Sequence, residues 1–108
     1  MESWNERGTM TTKVVNLRHD KFDVYIGRGR HSHWGNPFVI GKAGDRDAVV
    51  KKYRDWFHLP KNKKLRDAAF HELQGKTLGC YCKPSACHGD IIAEYVDERW
   101  RRENATSL

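Results

Sequence analysis

The sequence predicts a small single-domain α/β fold, with a short mixed sheet of three to four strands covered by about three helices. Three observations predict it. The chain has 108 residues, enough for one domain with one core. The runs "TKVVNLR" (12–18), "FDVYIGR" (22–28) and "KTLGCYC" (76–82) carry the β-branched and aromatic composition of strands. Between and after them, apolar residues recur at helical spacing. The order β-β-(β)-α-α-β-α then places helices over a sheet.

Each element has its own signal. The start, "MESWNERGTMTT", is polar and lacks the apolar stretch of a secretion signal. Residues 1–12 are expected as a flexible leader, 13–103 as the domain and 104–108 as a flexible tail. The polar "HDK" separates the first two strands, and "GRGRHSHWGNP" (27–37) has no period and reads as a loop. "FVI" (38–40) is expected as a short extra strand before the turn "GKAGD". Asp45 is a good N-cap for the helix that follows. Val49, Val50, Tyr53, Trp56 and Phe57 share an arc of about 120°, with Lys51 and Asp55 opposite. Pro60 ends that helix. A second helix over about 62–74 turns Leu65, Ala68, Ala69 and Leu73 inward and stops at Gly75. After the strand at 76–82, Ile91, Ile92, Tyr95 and Val96 define a last helix over about 86–102.

No run of about 18 apolar residues exists, so no membrane partner is expected. There are three cysteines, which cannot all pair within one chain, and this favours free or metal-bound thiols in a reducing, cytoplasmic setting. The formal charge is +6, and all of the surplus lies between Lys42 and Arg66. A solvated helix face explains such a segment, and so does contact with nucleic acid through residues 42–66.

All three cysteines fall in "GCYCKPSACHGD" (79–90). If a strand ends near Cys82 and a helix starts near Ser85 or Ala86, Cys87 and His88 occupy its first turn. Unpaired N–H groups and the helix dipole there favour a thiolate or a bound anion. Cys87 is then the candidate nucleophile, His88 the acid or base and Asp90 the nearby carboxylate. Ser85 is the expected cap. Alternatively Cys80, Cys82, Cys87 and His88 supply four zinc ligands, although C-x-C within a strand spreads its sulfurs too far for a common zinc knuckle. Cysteines 80 and 82 also suit a plain apolar core.

The loop "YIGRGRHSHWGNPF" (25–38) offers a second surface. Arg28 supplies a fork for phosphate, and an exposed Trp34 supplies a stacking face; the alternative is an ordered turn with Trp34 tucked into the core. Asn36, placed before a proline, is expected to aim its amide outward. Gly27, Gly29 and Gly35 let backbone approach a ligand. Because ligands gather at the carboxyl ends of strands, this loop and the 83–90 turn are expected to face each other.

The motifs "VVNLR", "DVYIGRG", "WGNPFVIG" and "GKTLGCYCKP…CHGDIIAE" together resemble the domain of unknown function 4326 family, small proteins of bacteria, archaea and phages. The resemblance spans about residues 13–96. It implies that Arg18, Arg28, Trp34, Gly35, Asn36, Pro37, Cys80, Cys82, Pro84, Cys87, His88, Gly89 and Asp90 carry the family motifs, and it implies no activity. The chain departs from the pattern in "RGRHSH", which lengthens the approach to "WGNP" and leaves Arg30, His31 and His33 without a role.

The resulting expectation is a phosphate-bearing ligand, a nucleotide or a nucleic-acid end, held between the 28–37 loop and the 83–90 turn. Arg18, Arg28, Trp34, Gly35, Asn36, Cys82 and Gly89 are the expected binding residues, and Cys87, His88 and Asp90 the expected catalytic ones. No cofactor is expected, with zinc the alternative. The sequence leaves open an enzyme, a nucleic-acid-binding or host-interaction module without catalysis, and a structural zinc protein.

Overall fold

A computed structural model describes residues 11–29, 33–83 and 85–105. Most of the expected leader, Arg30, His31, Pro84 and residues 106–108 lie outside the described residues. The strands are β1 (Lys13–Asn16), β2 (Val24–Tyr25) and β3 (Thr77–Cys80), and the helices α1 (Arg46–Phe57), α2 (Lys63–Leu73) and α3 (His88–Ala105). The class is α/β, in one domain, with three strands and three α-helices among the described residues.

The strand order is β1-β3-β2, and both pairings are parallel, so the sheet is not the mixed one expected. The reason lies at Asn16. Its carbonyl accepts the His19 and Asp20 amides, and its Oδ1 accepts the Arg18 amide at 2.9 Å. The chain therefore turns away at the end of β1 instead of pairing back on it. Residues 17–23 return past β3 on the face away from the helices, where a Cβ at Gly79 would meet the Phe22 ring at 2.6 Å. Side chains alternate along β3, with Leu78 and Cys80 turned into the core.

The expected inner faces are largely those observed. Val49, Tyr53 and Phe57 of α1 are buried, with Val50 and Trp56 packed against them. Ala69, Phe70 and Leu73 of α2 and Ile91, Ile92 and Val96 of α3 complete the core. Asp45 caps α1 by accepting the Ala48 amide at 2.9 Å. Gly75, at φ 68°, takes the left-handed turn that stops α2. "FVI" is not a strand. The Val39 carbonyl accepts the Lys42 and Ala43 amides, which folds the segment into a turn at the edge of a cleft. Thr12, within the expected leader, is buried, and its amide donates to Asp97 of α3 at 3.1 Å.

Candidate functional site

A cleft of about 290 Å³ opens at the carboxyl ends of β2 and β3. Both expected loops reach it: Gly27, Arg28 and Asn36 line one wall, and Cys82, Ala86, Cys87 and His88 the other. Arg46, Val49 and Val50 of α1 form a third side, and Tyr25 and Tyr81 stand at the strand ends.

The 83–90 turn is built around the start of α3. Cys87 immediately precedes the helix, and its Sγ accepts the Gly89 N–H at 3.3 Å. Asp90 reaches back to accept the Cys87 N–H at 3.1 Å. This is a reciprocal capping box in which a cysteine replaces the usual serine. Cys87, not Ser85, is thus the cap. The exchange occupies N–H groups that the sequence alone leaves open for an anion. Asp90 also pairs with Lys83, so both its oxygens are engaged in holding the turn.

His88 is buried, and its Nε2 lies 2.7 Å from the Ile26 carbonyl. A carbonyl only accepts, so Nε2 carries the proton and Nδ1 presents a lone pair. That lone pair faces the Cys87 sulfur at 3.7 Å. Burial lowers the His88 pKa, and the Arg28 charge adds to the effect. Gly89 lies flat on the sheet, where a Cβ would meet the Ile26 Cδ1 and, at 3.0 Å, Val14.

The two sulfurs of Cys80 and Cys87 are 3.1 Å apart, and both residues are buried. The Cys87 S–H donated to Cys80, helped by backbone N–H groups of Cys82 and Lys83, lowers the Cys80 thiol to about 6. The same contact, together with burial, raises Cys87. A shared proton couples the two thiols, so their titration belongs to the pair. The donors around Cys80 favour ionised sulfur there over Cys87, the residue expected as nucleophile. Cys82 is half-buried at the cleft wall. Among the described residues, no three His, Cys, Asp or Glu side chains form a group suited to a metal ion.

The other wall differs from expectation at two residues. Trp34 is only 4% exposed and belongs to the core, so its ring is not available for stacking. Asn36 points inward, donating from Nδ2 to the Val49 carbonyl at 3.1 Å and accepting the Phe38 amide at 2.9 Å. An amide that satisfies both a helix carbonyl and its own loop is worth more buried than aimed at water. Gly35 presses on Arg28, whose Cα a Cβ there would meet at 2.9 Å. Arg28 itself is exposed and donates to the Asn36 and Phe38 carbonyls at 2.9 and 3.1 Å. Those two bonds leave further guanidinium N–H donors for a ligand.

Several cleft residues escape a reading of the sequence. Arg46, hidden in a charged helix, lines the cleft and makes one long bond to the Ala86 carbonyl at 3.4 Å. Tyr81 is 56% exposed, with Tyr25 edge-on to it at 6.3 Å. Strand alternation after Cys80 is the signal that places Tyr81 outward. Arg18 does not line the cleft but lies over the Tyr81 ring, 5.3 Å from its centre. Asn16 ties β1 to the turn by donating to the Lys83 carbonyl at 2.8 Å.

The family model for a domain of unknown function, DUF4326, matches residues 11–98. An uncharacterized 12.4 kDa protein from the nrdA-td intergenic region of Enterobacteria phage T4 is 41% identical over 91 residues, covering 82% of this chain and 81% of its own. No solved structure matches the chain. No helix among the described residues is long and apolar enough to cross a membrane.

Proposed function

The chain belongs to the DUF4326 family, and from the cleft geometry we propose that it binds a phosphate-bearing small molecule of mononucleotide size. One observation carries the reading: two arginines, Arg28 and Arg46, converge on a concave site that also has an exposed tyrosine and an apolar floor. Arginine forks suit phosphate oxygens, and Tyr81, backed by the Arg18 guanidinium, offers a face to a base. Val49, Val50 and Phe38 supply the apolar floor. At about 290 Å³ the cleft is at the small end for ligand sites, which favours a mononucleotide over a dinucleotide. The phosphate sits against the arginines instead of the α3 N-terminus, whose cap is already made by Cys87 and Asp90. Free cysteines suit a reducing compartment such as the cytoplasm.

Calorimetric titration with nucleosides and their monophosphates tests the reading. Monophosphates are expected to bind, with the matching nucleosides at least about tenfold weaker, since each 1.4 kcal/mol is a factor of ten. Arg46→Ala should lose a similar factor without loss of stability, because its bond to Ala86 is long. Equal affinity for nucleoside and nucleotide, or none for either, rejects the reading.

A further inference from the structure

The proposed ligand leaves one feature of the cleft unused: its sulfurs. Cys80 closes β3 and Cys87 caps α3, yet residues 81–86 loop so that the two Sγ atoms stand 3.1 Å apart. Both cysteines lie at the base of the cleft with about 1% of their surface exposed, so a reagent meets them only at its floor. Each sulfur also has polar company that a purely apolar core cysteine lacks. The Gly89 N–H points at Cys87, and N–H groups of Cys82 and Lys83 point at Cys80. Such donors steady negative charge on sulfur, and the thiolate is the reactive form. His88, with Nε2 committed to Ile26, turns its Nδ1 lone pair to Cys87. It is placed to take the thiol proton.

We propose that Cys80 and Cys87 are a redox-active dithiol that closes to a reversible intramolecular disulfide by exchange with a small-molecule disulfide, while Cys82 stays a free thiol. The Cys80 thiolate attacks one sulfur of the oxidant RSSR. A Cys80–SR bond forms, the oxidant's S–S bond breaks, and the departing thiolate takes a proton from water as RSH. Cys87 then passes its proton to His88 Nδ1, and its sulfur attacks that of Cys80. The protein disulfide forms as the Cys80–SR bond breaks, and the second thiolate takes the proton from His88. Two protein thiols and one RSSR give one protein disulfide and two RSH, with no other reactant. Closing the bond shortens the sulfur separation by about 1 Å to the usual length of about 2.05 Å, a change within reach of side-chain rotation.

The test uses the full chain and oxidised glutathione. Protein is incubated with it at neutral pH, acid-quenched, unfolded in guanidinium at neutral pH in the presence of N-ethylmaleimide and read by intact and fragment mass spectrometry. Of the three thiols, two should become unreactive, with the mass lower by two hydrogens and the label found on Cys82 alone. Dithiothreitol should restore all three. Cys82→Ser should oxidise like the wild type, Cys87→Ser should keep one glutathione bound at Cys80, and Cys80→Ser should take up none. Circular dichroism should show the fold retained throughout. Because Cys80 and Cys87 are fully buried and their variants risk misfolding, the wild-type labelling pattern alone decides. Full labelling after oxidation, a bond that includes Cys82, or oxidation only in denaturant overturns the proposal.

Discussion

The Nε2 of His88 donates to the carbonyl of Ile26 at 2.7 Å, which binds the first residue of α3 to the residue after β2. The ring also stands edge-on to Tyr53 at 5.1 Å, so one side chain joins sheet, α1 and α3. This arrangement needs a neutral imidazole, and burial lowers the His88 pKa accordingly. Arg28 lowers it further, while Asp90 and the Ile26 contact oppose the shift. The unfolded chain therefore takes up the proton first, and stability falls as pH drops below the ordinary histidine value of about 6.5. Thermal melts from about pH 7.5 down to about pH 5 should show the loss, and His88→Gln should flatten it while costing about 1–3 kcal/mol at neutral pH. His58, lowered by partial burial with help from Arg66 and Arg54, acts in the same direction, so His58→Gln is the needed control. Asp97, raised by burial, acts oppositely in more acid solution.

At Gly89 a methyl group has nowhere to go. A Cβ would strike Ile26 and Val14, both on the sheet beneath α3. Alanine gains up to about 1 kcal/mol in helix propensity, but overpacking costs about 1–3 kcal/mol and should prevail. Gly89→Ala should lower the denaturant midpoint without changing the slope. An unchanged or raised midpoint shows that α3 can lift off the sheet at no cost.

The core and the helices were legible because their signal is local. Val49, Tyr53 and Phe57 recur at helical spacing, and Asp45 announces the start of α1. The meeting of the two loops in one cleft was legible too, since strands ending near Tyr25 and Cys80 imply loops at one edge. What failed was side-chain direction in aperiodic segments. Trp34 and Asn36 lie in a loop with no period, and only the packed core around Trp34 and the Val49 carbonyl that Asn36 reaches decide that they turn inward. The sheet's handling of β1 and β2 was hidden for a similar reason. Asn16 redirects the chain through bonds to Arg18, His19 and Asp20, and the return past Gly79 depends on a strand far away in sequence. The sequence reads "CHGD" as chemistry, and each of its four residues has a structural task at the start of α3.

The cysteine pair makes a spectroscopic prediction that is independent of any oxidant. The Cys87 S–H and nearby N–H groups hold Cys80 below an ordinary thiol. Ultraviolet thiolate absorbance should rise by one thiolate per chain at a pH below the ordinary thiol range. The second thiol of the pair should stay protonated well above it, because Cys87 is raised by the same contact. A depressed thiol pKa in the folded state also means stability that is lost as pH falls from the ordinary thiol value through the folded one. Cys87→Ser keeps a hydroxyl donor beside Cys80 and should move the midpoint, whereas Cys82→Ser should not. Titration of all thiols in the ordinary range of about 8–9 contradicts the pairing.

The basic segment separates two kinds of anion binding. Lys51, Lys52, Lys61, Lys63 and Lys64 lie on and between α1 and α2, and their amines reach the surface. Lys51 pairs with Asp55 and Lys63 with Asp67, but both lysine side chains are more than 70% exposed and such pairs hold them weakly. Arg66 is otherwise engaged, donating to the Phe57 and Leu59 carbonyls at 2.7 Å. These lysines do not line the cleft. Single-stranded DNA attracted by them should bind with a steep salt dependence, because each neutralised phosphate releases counterions. Reversing Lys52, Lys61 and Lys64 to glutamate should abolish that binding; reversing one of them should reduce the salt slope by about 0.7 for each phosphate no longer neutralised. Mononucleotide affinity, resting on Arg28 and Arg46, should survive the triple reversal and respond far less to salt. Labelled DNA and a nucleotide, titrated into the wild type and the charge-reversed protein at low and high ionic strength, give the comparison required. DNA binding lost in the Arg46→Ala variant but kept after charge reversal places nucleic acid in the cleft and removes the basic segment from recognition.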